Sequence, residues 1–300
     1  MASKEELEWW NRFADVMAEQ WMLTPRLNQM IRAEYENDYA EYLFKPGGSF
    51  LEIGCGVGWI GQKFAARGMH VDGIDFSDSQ LDIARRLAGE KGLGDQVAYF
   101  ARDLVNDHLE GRFQRYDAIL VNAVLHHLLL AEVDTLNARL AALLAPGGRM
   151  YIYEPLAPRR ESTARRLLMA PFAFVMRVVL FTIQRLGRAF GLFKADFAEA
   201  MRQGYTGTSP DERAIPIENL RRSLVCNGLT IEEERPHHSF SLAVAMSIVR
   251  LKPWLVEWLT PLVRPVYGLD RWLFKAVGWQ NFGDEKAVLC CIKVTKDRAT

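Results

Sequence analysis

What this 300-residue sequence lacks narrows it first. It has no excess of charge: 37 Lys plus Arg stand against 37 Asp plus Glu. A chain that grips DNA or RNA ordinarily needs a basic face, because phosphate contacts supply most of the affinity. No nucleic-acid partner is therefore expected. The four cysteines, Cys55, Cys226, Cys290 and Cys291, include no C-x-x-C pair. Neither a zinc site nor a disulfide framework is expected, and no metal; the thiols read as buried and reduced. No run reaches the ~18 uncharged apolar residues of a membrane span. Met1–Glu6 is acidic and has no apolar core, so it does not read as a secretory signal. There is no internal repeat and no low-complexity linker. A cytoplasmic location is expected, with the option of lying on the inner face of a membrane.

What is present is ordinary in bulk, 49% hydrophobic and 25% charged, which suits a globular protein. The length fits one large domain with insertions. Residues 5–22 carry Leu7, Trp10, Ala14, Met17 and Trp21 on one helical face, and 26–44 read as a second helix with Leu27, Ile31 and Tyr42 apolar. After Pro46-Gly47-Gly48 the periodicity alternates. Strands are predicted at 49–53, 70–74, 97–100, 116–122 and 149–153, and helices at 59–67, from Ser77 or Asp78 to about 88, and at 132–144. Ser77 with Gln80 makes a capping box. A helix opened by Pro216 and closed by Gly228, then strands at 229–235 and 287–295, resume the plan. This predicts an α/β fold with a doubly wound, seven-stranded, mostly parallel sheet. The divisions are an N-terminal helical cap (1–45), a core (46–155), a helical insertion or lid (156–215), core again (216–236), a second helical insertion split by Pro253, Pro261 and Pro265 (237–286), and a last strand with its tail (287–300).

The loop after the first strand reads Glu52-Ile53-Gly54-Cys55-Gly56-Val57-Gly58-Trp59-Ile60-Gly61. Alternating glycines let the chain turn sharply and let a ligand approach bare backbone, at the sheet edge where open α/β folds bind ligands. Gly56-x-Gly58-x-x-Gly61, with Asp75 downstream, also fits a dinucleotide fingerprint. That reading, a nicotinamide-dependent oxidoreductase, leaves Glu52, Asp103 and the Pro146-Gly147-Gly148 strand without a role.

Four motifs in order carry a resemblance. Glu52–Gly58, Val71-Asp72-Gly73-Ile74-Asp75-Phe76-Ser77, Tyr116-Asp117-Ala118-Ile119-Leu120-Val121-Asn122 with the following Ala123–Leu128, and Leu144–Ile152 resemble the first, second, fourth and fifth strand motifs of class I S-adenosylmethionine-dependent methyltransferases. The nearest subgroup is the one acting on small molecules, including ubiquinone and menaquinone precursors. The resemblance implies S-adenosylmethionine as cofactor and a methyl transfer, with oxygen as the first expectation for the acceptor atom. It implies that Gly54, Cys55, Gly56 and Gly58 line the methionine end, while Glu52 holds the loop and the amino group. Asp75 would take the ribose hydroxyls, or cap a helix. Phe76 would pack on the adenine, or in the core. Asp103, with Leu104 beside it, would reach the adenine amino group, or cap its own loop. Asn122 would stand at the mouth of the site.

A base is needed only if the acceptor must lose a proton. Candidates are His126 and His127, which read equally as histidines fixing a loop, then His237 with His238, and Tyr205. The fourth strand does not end in the Asn/Asp-Pro-Pro-Tyr of enzymes methylating exocyclic amines of bases, and no Pro-Cys pair occurs, so nucleic-acid methylation has little support. A scaffold that kept the fold without catalysis is the remaining alternative.

The insertions should build the acceptor site, for a small hydrophobic or lipid-linked molecule. Between Glu161 and Asp196 no acid occurs, and Arg166, Arg177 and Arg188 recur every eleven residues among apolar ones. Trp254, Trp258, Trp272 and Trp279 follow in the second insertion. Residues 163–194 and 251–279 read as membrane-surface contacts or as a lid and greasy pocket. The oligomeric state is not legible.

Overall fold

The computed structural model describes residues 3–16, 38–109, 111–157, 163–205, 209–238, 244–245, 247–277 and 288–297. Alternation of strand and helix produces the expected architecture. The strands are β1 (Ser49–Ile53), β2 (His70–Asp75), β3 (Val97–Ala101), β4 (Tyr116–Asn122), β5 (Leu144–Ala157), β6 (Ile215–Pro216), β7 (Leu229–His238) and β8 (Val288–Lys296). The sheet order is β3-β2-β1-β4-β5-β8-β7, with β6 paired to β5. β1 to β6 pair in parallel; β8 runs antiparallel between β5 and β7. The expected seven strands are thus joined by an eighth, the two-residue β6, where the chain returns from the first insertion.

Residues alternate across the sheet, and both faces are covered, so strands read as nearly continuous apolar runs. Leu51, Ile53, Ile119, Val121, Met150 and Ile152 face one cluster, closed by Leu136 and Leu140 of α4 (Leu130–Leu143) and Leu220 and Leu224 of α7 (Ile217–Cys226). Phe50, Val71, Leu120 and Tyr151 face the other, closed by Tyr39, Leu43, and Ile60 and Phe64 of α2 (Trp59–Ala65). α3 (Asp78–Glu90) is capped by Ser77, whose Oγ accepts the Gln80 N–H at 3.3 Å. The capping box is half formed, because the Ser77 N–H goes to Asp75 instead.

The N-terminal helix α1 (Lys4–Arg12) is followed by a turn at Phe13 and helical residues 14–16; the rest of the first predicted helix and most of the second lie outside the described residues, with 38–43 helical. The first insertion holds α5 (Thr163–Ala189) and α6 (Ala195–Arg202). The second corrects the sequence reading: α8 (Pro253–Val277) is one continuous helix with Pro261 and Pro265 inside it. Each proline removes one donor, but the apolar stripe facing inward holds the helix together across them. Phe193, Phe197, Tyr205, Val244, Val256 and Val263 form a further cluster joined by Phe13 just beyond α1. Cys226 corrects another expectation, since it is exposed at the end of α7, whereas Cys55 and Cys291 are buried free thiols.

Phe50 and Phe64 stack at 4.3 Å between ring centroids, both buried. Phe64→Ala should therefore cost about 3–5 kcal/mol, read as a lowered urea midpoint with unchanged slope.

Candidate active site

The chain leaves β1 through a loop that glycine alone permits. Gly54, Gly56 and Gly58 have φ of 65°, 52° and 71°. At Gly54 space forbids a side chain as well, because a Cβ would fall 2.0 Å from Val124 Cγ2. The N–H groups of Gly54 and Cys55 both donate to the Ile74 carbonyl, at 2.8 and 3.0 Å, folding the loop over the end of β2. Cys55 is buried, its Sγ against Gly73, so only its backbone is offered to a ligand.

The acids predicted to hold a ligand hold the loops. Glu52, buried, accepts the Gly61 N–H at 2.9 Å and so ties β1 to the first turns of α2. Burial pushes its pKa up to about 8; the Gly61 bond opposes this and the neighbouring Asp75 adds to it. Asp75 accepts the Gly56 N–H on Oδ2 at 2.8 Å and the Ser77 N–H on Oδ1 at 2.9 Å. Its burial raises the pKa, and those two N–H groups pull it back. A carboxylate has about four lone-pair sites, so Asp75 keeps acceptor capacity for a ligand. Asp103 accepts the Val105 and Asn106 N–H groups on Oδ1 and the Asn106 side-chain amide on Oδ2; both oxygens serve its own loop. Leu104 is buried in the sheet core, and Phe76 is half-buried.

β4 ends at Asn122, partly buried beside Tyr153 of β5. Ala123 follows with φ of 57°, the one non-glycine residue with positive φ among the described residues. That conformation costs roughly 1–2 kcal/mol and is held from β5: the Ala123 N–H donates to the Tyr153 carbonyl at 2.8 Å. Fully buried Glu154 accepts the Val124 and Leu125 N–H groups on Oε1 at 2.6 and 2.8 Å. Its Oε2 takes the His126 N–H at 3.4 Å and the ring Nδ1 at 2.9 Å.

His127 is held from the opposite side, by α1. Its Nδ1 lies 3.1 Å from Glu6 Oε1 and 3.2 Å from Ser209 Oγ. Glu6 is buried and also accepts the Trp10 indole N–H at 2.7 Å and the Asp211 N–H at 2.9 Å. Burial alone would raise its pKa, but His127, Ser209, Asp211 and Trp10 together hold it at about 2. The two histidine rings sit 3.9 Å apart, and the Trp10 ring meets His127 edge-on. Asn11 completes the strap: its Oδ1 accepts from Ser77 Oγ at 2.7 Å.

The structure thus gathers the glycine loop, Asp75, Asn122, His126 and His127 at one sheet edge. Three of the candidate bases stand apart from the histidine pair. Tyr205 is packed in the insertion cluster, its ring stacked on Trp9 at 5.4 Å and edge-on to Phe13. His237 and His238 close β7, with β8 standing between them and β5. Glu154 and Glu6 were missed. Glu154 had a signal, the one acid inside the otherwise uncharged run Met150–Ala157; Glu6, one of several acids in α1, had none. No group of three or more His, Cys, Asp or Glu side chains among the described residues could hold a metal ion.

With this geometry in view, residues 51–150 match a family described as a methyltransferase domain. A ubiquinone biosynthesis O-methyltransferase from Aeromonas salmonicida is 31% identical over 122 residues, covering 41% of this chain and 48% of that protein. The protein of the same name from Agrobacterium fabrum is 27% identical over 235 residues, covering 74% and 80%. The matched stretch thus spans about half the length of the Aeromonas relative. Among solved structures, a Haemonchus contortus phosphoethanolamine N-methyltransferase 2 in complex with S-adenosyl-L-methionine superposes with a TM-score of 0.58 at 13% identity, over 99% of this chain and 61% of that one. That likeness is one of fold.

Two pH dependences of opposite sign follow. Glu52 has a folded pKa of about 8 against an ordinary 4.5. The folded state keeps a proton the unfolded chain has lost, so the stability associated with Glu52 is full below pH 4.5 and falls as pH rises toward 8. Glu52→Gln keeps an acceptor for Gly61 and removes the titration, so its urea midpoint should gain on the parent across that range; parallel curves would refute a buried proton. Glu6, at about 2 against 4.5, contributes stability present above pH 4.5 and lost as pH falls toward 2. Glu6→Gln should unfold at neutral pH at lower urea than the parent, with the gap closing in acid.

Proposed function

We propose that this chain, whose residues 51–150 form a class I S-adenosylmethionine-dependent methyltransferase domain, transfers a methyl group to a hydroxyl oxygen of a small hydrophobic or lipid-linked acceptor. The carrying observation is the meeting, at one sheet edge, of a bare-backbone glycine loop, a buried carboxylate with spare acceptor sites, and two carboxylate-backed histidines. The residues fit the cofactor. Gly54–Gly58 offer main chain without side chains to the methionine end, Asp75 offers acceptor sites to ribose hydroxyls, and Asn122 stands at the mouth. When bound, S-adenosylmethionine supplies a methyl group already activated on a sulfonium. Positioning then contributes much of the rate.

The chain's own task is to orient the acceptor and take its proton. The oxygens of Glu154 and Glu6 act as hydrogen-bond acceptors, Glu154 for the Val124, Leu125 and His126 N–H groups and Glu6 for those of Trp10 and Asp211. Each therefore keeps the proton of its partner ring on Nδ1 and leaves Nε2 of His126 or His127 with the lone pair. A hydroxyl reaching that nitrogen gives up its proton there, and the resulting imidazolium faces a carboxylate. Such a base contributes about 10²–10⁴-fold. The O-methyltransferase names of the Aeromonas and Agrobacterium relatives support oxygen as the acceptor atom.

Calorimetric titration with S-adenosylmethionine, and separately with NADH, tests the cofactor: the first should bind, and Asp75→Ala should weaken it at least about ten-fold, in line with loss of a charge-assisted hydrogen bond. Binding of NADH alone would overturn the proposal. His126→Asn and His127→Asn should leave cofactor affinity intact. The more important base of the two should lose about 10²-fold or more in methyl transfer to a phenolic or quinol extract. Full transfer by both variants would remove the base from the mechanism.

A further inference from the structure

α5 and α8 expose more apolar surface than a helix covering a domain needs to. α5 turns Leu180 and Ile183 onto the insertion cluster and packs Gly187 against Phe193. Its other side is apolar too, with Phe174, Val178 and Phe181 exposed at 66%, 47% and 59%, and Phe190 just beyond it at 70%. A helix on a domain surface ordinarily keeps large apolar side chains on its buried stripe and polar ones outside. α8 turns Val256 and Val263 inward and sets Trp254, Trp258 and Leu262 outward at intervals of four, 63%, 73% and 57% exposed; Trp272 continues the stripe at 63%.

The two helices belong to one body. Phe193 and Leu251 pair as a β-bridge, the Lys194 N–H donates to the Arg250 carbonyl at 3.0 Å, and the Lys252 N–H to the Leu192 carbonyl at 2.8 Å. Phe190 and Trp254 lie three residues to either side of that bridge.

Charge says what could cover this surface. From residue 162 to 195 no acid occurs, while Arg177, Arg185 and Arg188 of α5 are exposed. On α8 the exposed charges are Arg264, Arg271 and Lys275 against the single acid Glu257. No helix among the described residues is long and apolar enough to cross a membrane. Exposed tryptophans favour the headgroup level of a bilayer, and arginines beside apolar side chains favour anionic lipid.

We propose that α5 and α8 together form a docking surface for an anionic lipid bilayer, with Trp254, Trp258, Trp272, Phe181 and Phe190 entering the headgroup region and Arg185 and Arg188 pairing with lipid phosphates. Docking goes beyond the proposed methyl transfer and can be measured without an acceptor. It would bring the chain to the phase in which a lipid-linked acceptor dissolves.

The test is flotation of the full chain with vesicles of phosphatidylcholine alone and of phosphatidylcholine mixed with phosphatidylglycerol. The chain should float with the mixed vesicles only and be released by high salt. Arg185→Ala with Arg188→Ala should weaken partitioning about five-fold per charge removed. Trp254→Ala with Trp258→Ala should weaken it at low and high salt alike. Unchanged S-adenosylmethionine affinity in these variants would show that the fold is intact. Flotation by a chain that does not bind the cofactor would leave docking standing and remove the methyltransferase reading. A cofactor-binding chain that floats with neither vesicle overturns docking. So does gel filtration showing a dimer that the tryptophan variant dissociates, without flotation of the parent, because a second copy then covers the surface.

Discussion

Backbone N–H groups stranded at the carboxyl edge of a parallel sheet need acceptors, and buried carboxylates supply them. Strand order reverses between β1 and β4, so the loops leaving β1 and β4 diverge and do not satisfy each other's backbone groups. A buried N–H without a partner costs about 1–3 kcal/mol. Glu52 serves Gly61, Asp75 serves Gly56 and Ser77, and Glu154 serves Val124, Leu125 and His126. These acids set the loop shapes on which any ligand site depends. The cost is carried by the acids themselves, as the raised pKa values of Glu52 and Asp75 show.

The same logic explains the histidine pair. Glu154 is placed to satisfy a turn that Ala123 enters with positive φ, and holding the His126 ring is a further use of the same oxygen. Glu6 satisfies the Asp211 N–H while holding His127. Fixing the loop and presenting a base are therefore not competing roles. A ring whose Nδ1 is committed to a structural carboxylate still has Nε2 to offer.

The sheet was legible because its signals are local: apolar runs of strand length, a serine cap before α3, glycines where φ must be positive. The sharp turn read from the glycine spacing is there, with positive φ at Gly54 and Gly58. Asp103 was placed with both its roles open, and the loop it caps is visible in its own next three residues, Leu104-Val105-Asn106. What sequence could not show lies in contacts between distant segments. Glu6 meets His127 and Asp211 across more than a hundred residues of chain, and nothing in α1 marks it out from Glu5 or Glu8. The prolines of α8 misled for a related reason. Locally they break helices, yet packing of Val256, Thr260 and Val263 on a distant cluster overrides that tendency.

α1 touches both the insertion cluster and the loops of the sheet. Trp9 stacks on Tyr205 inside the insertion cluster, while its neighbour Trp10 bonds Glu6 and meets the His127 ring. Asn11 then reaches Ser77 at the start of α3. Successive residues of one helix thus touch the insertions, the paired histidines and the end of β2. A displacement of the insertions cannot leave α1 in place without breaking the Trp9–Tyr205 stack. It cannot carry α1 along without uncovering buried Glu6 and freeing His127 from its carboxylate. Chemistry that asks little of the acceptor beyond position leaves acceptor choice to the insertions, and α1 is the element through which their position reaches the histidines.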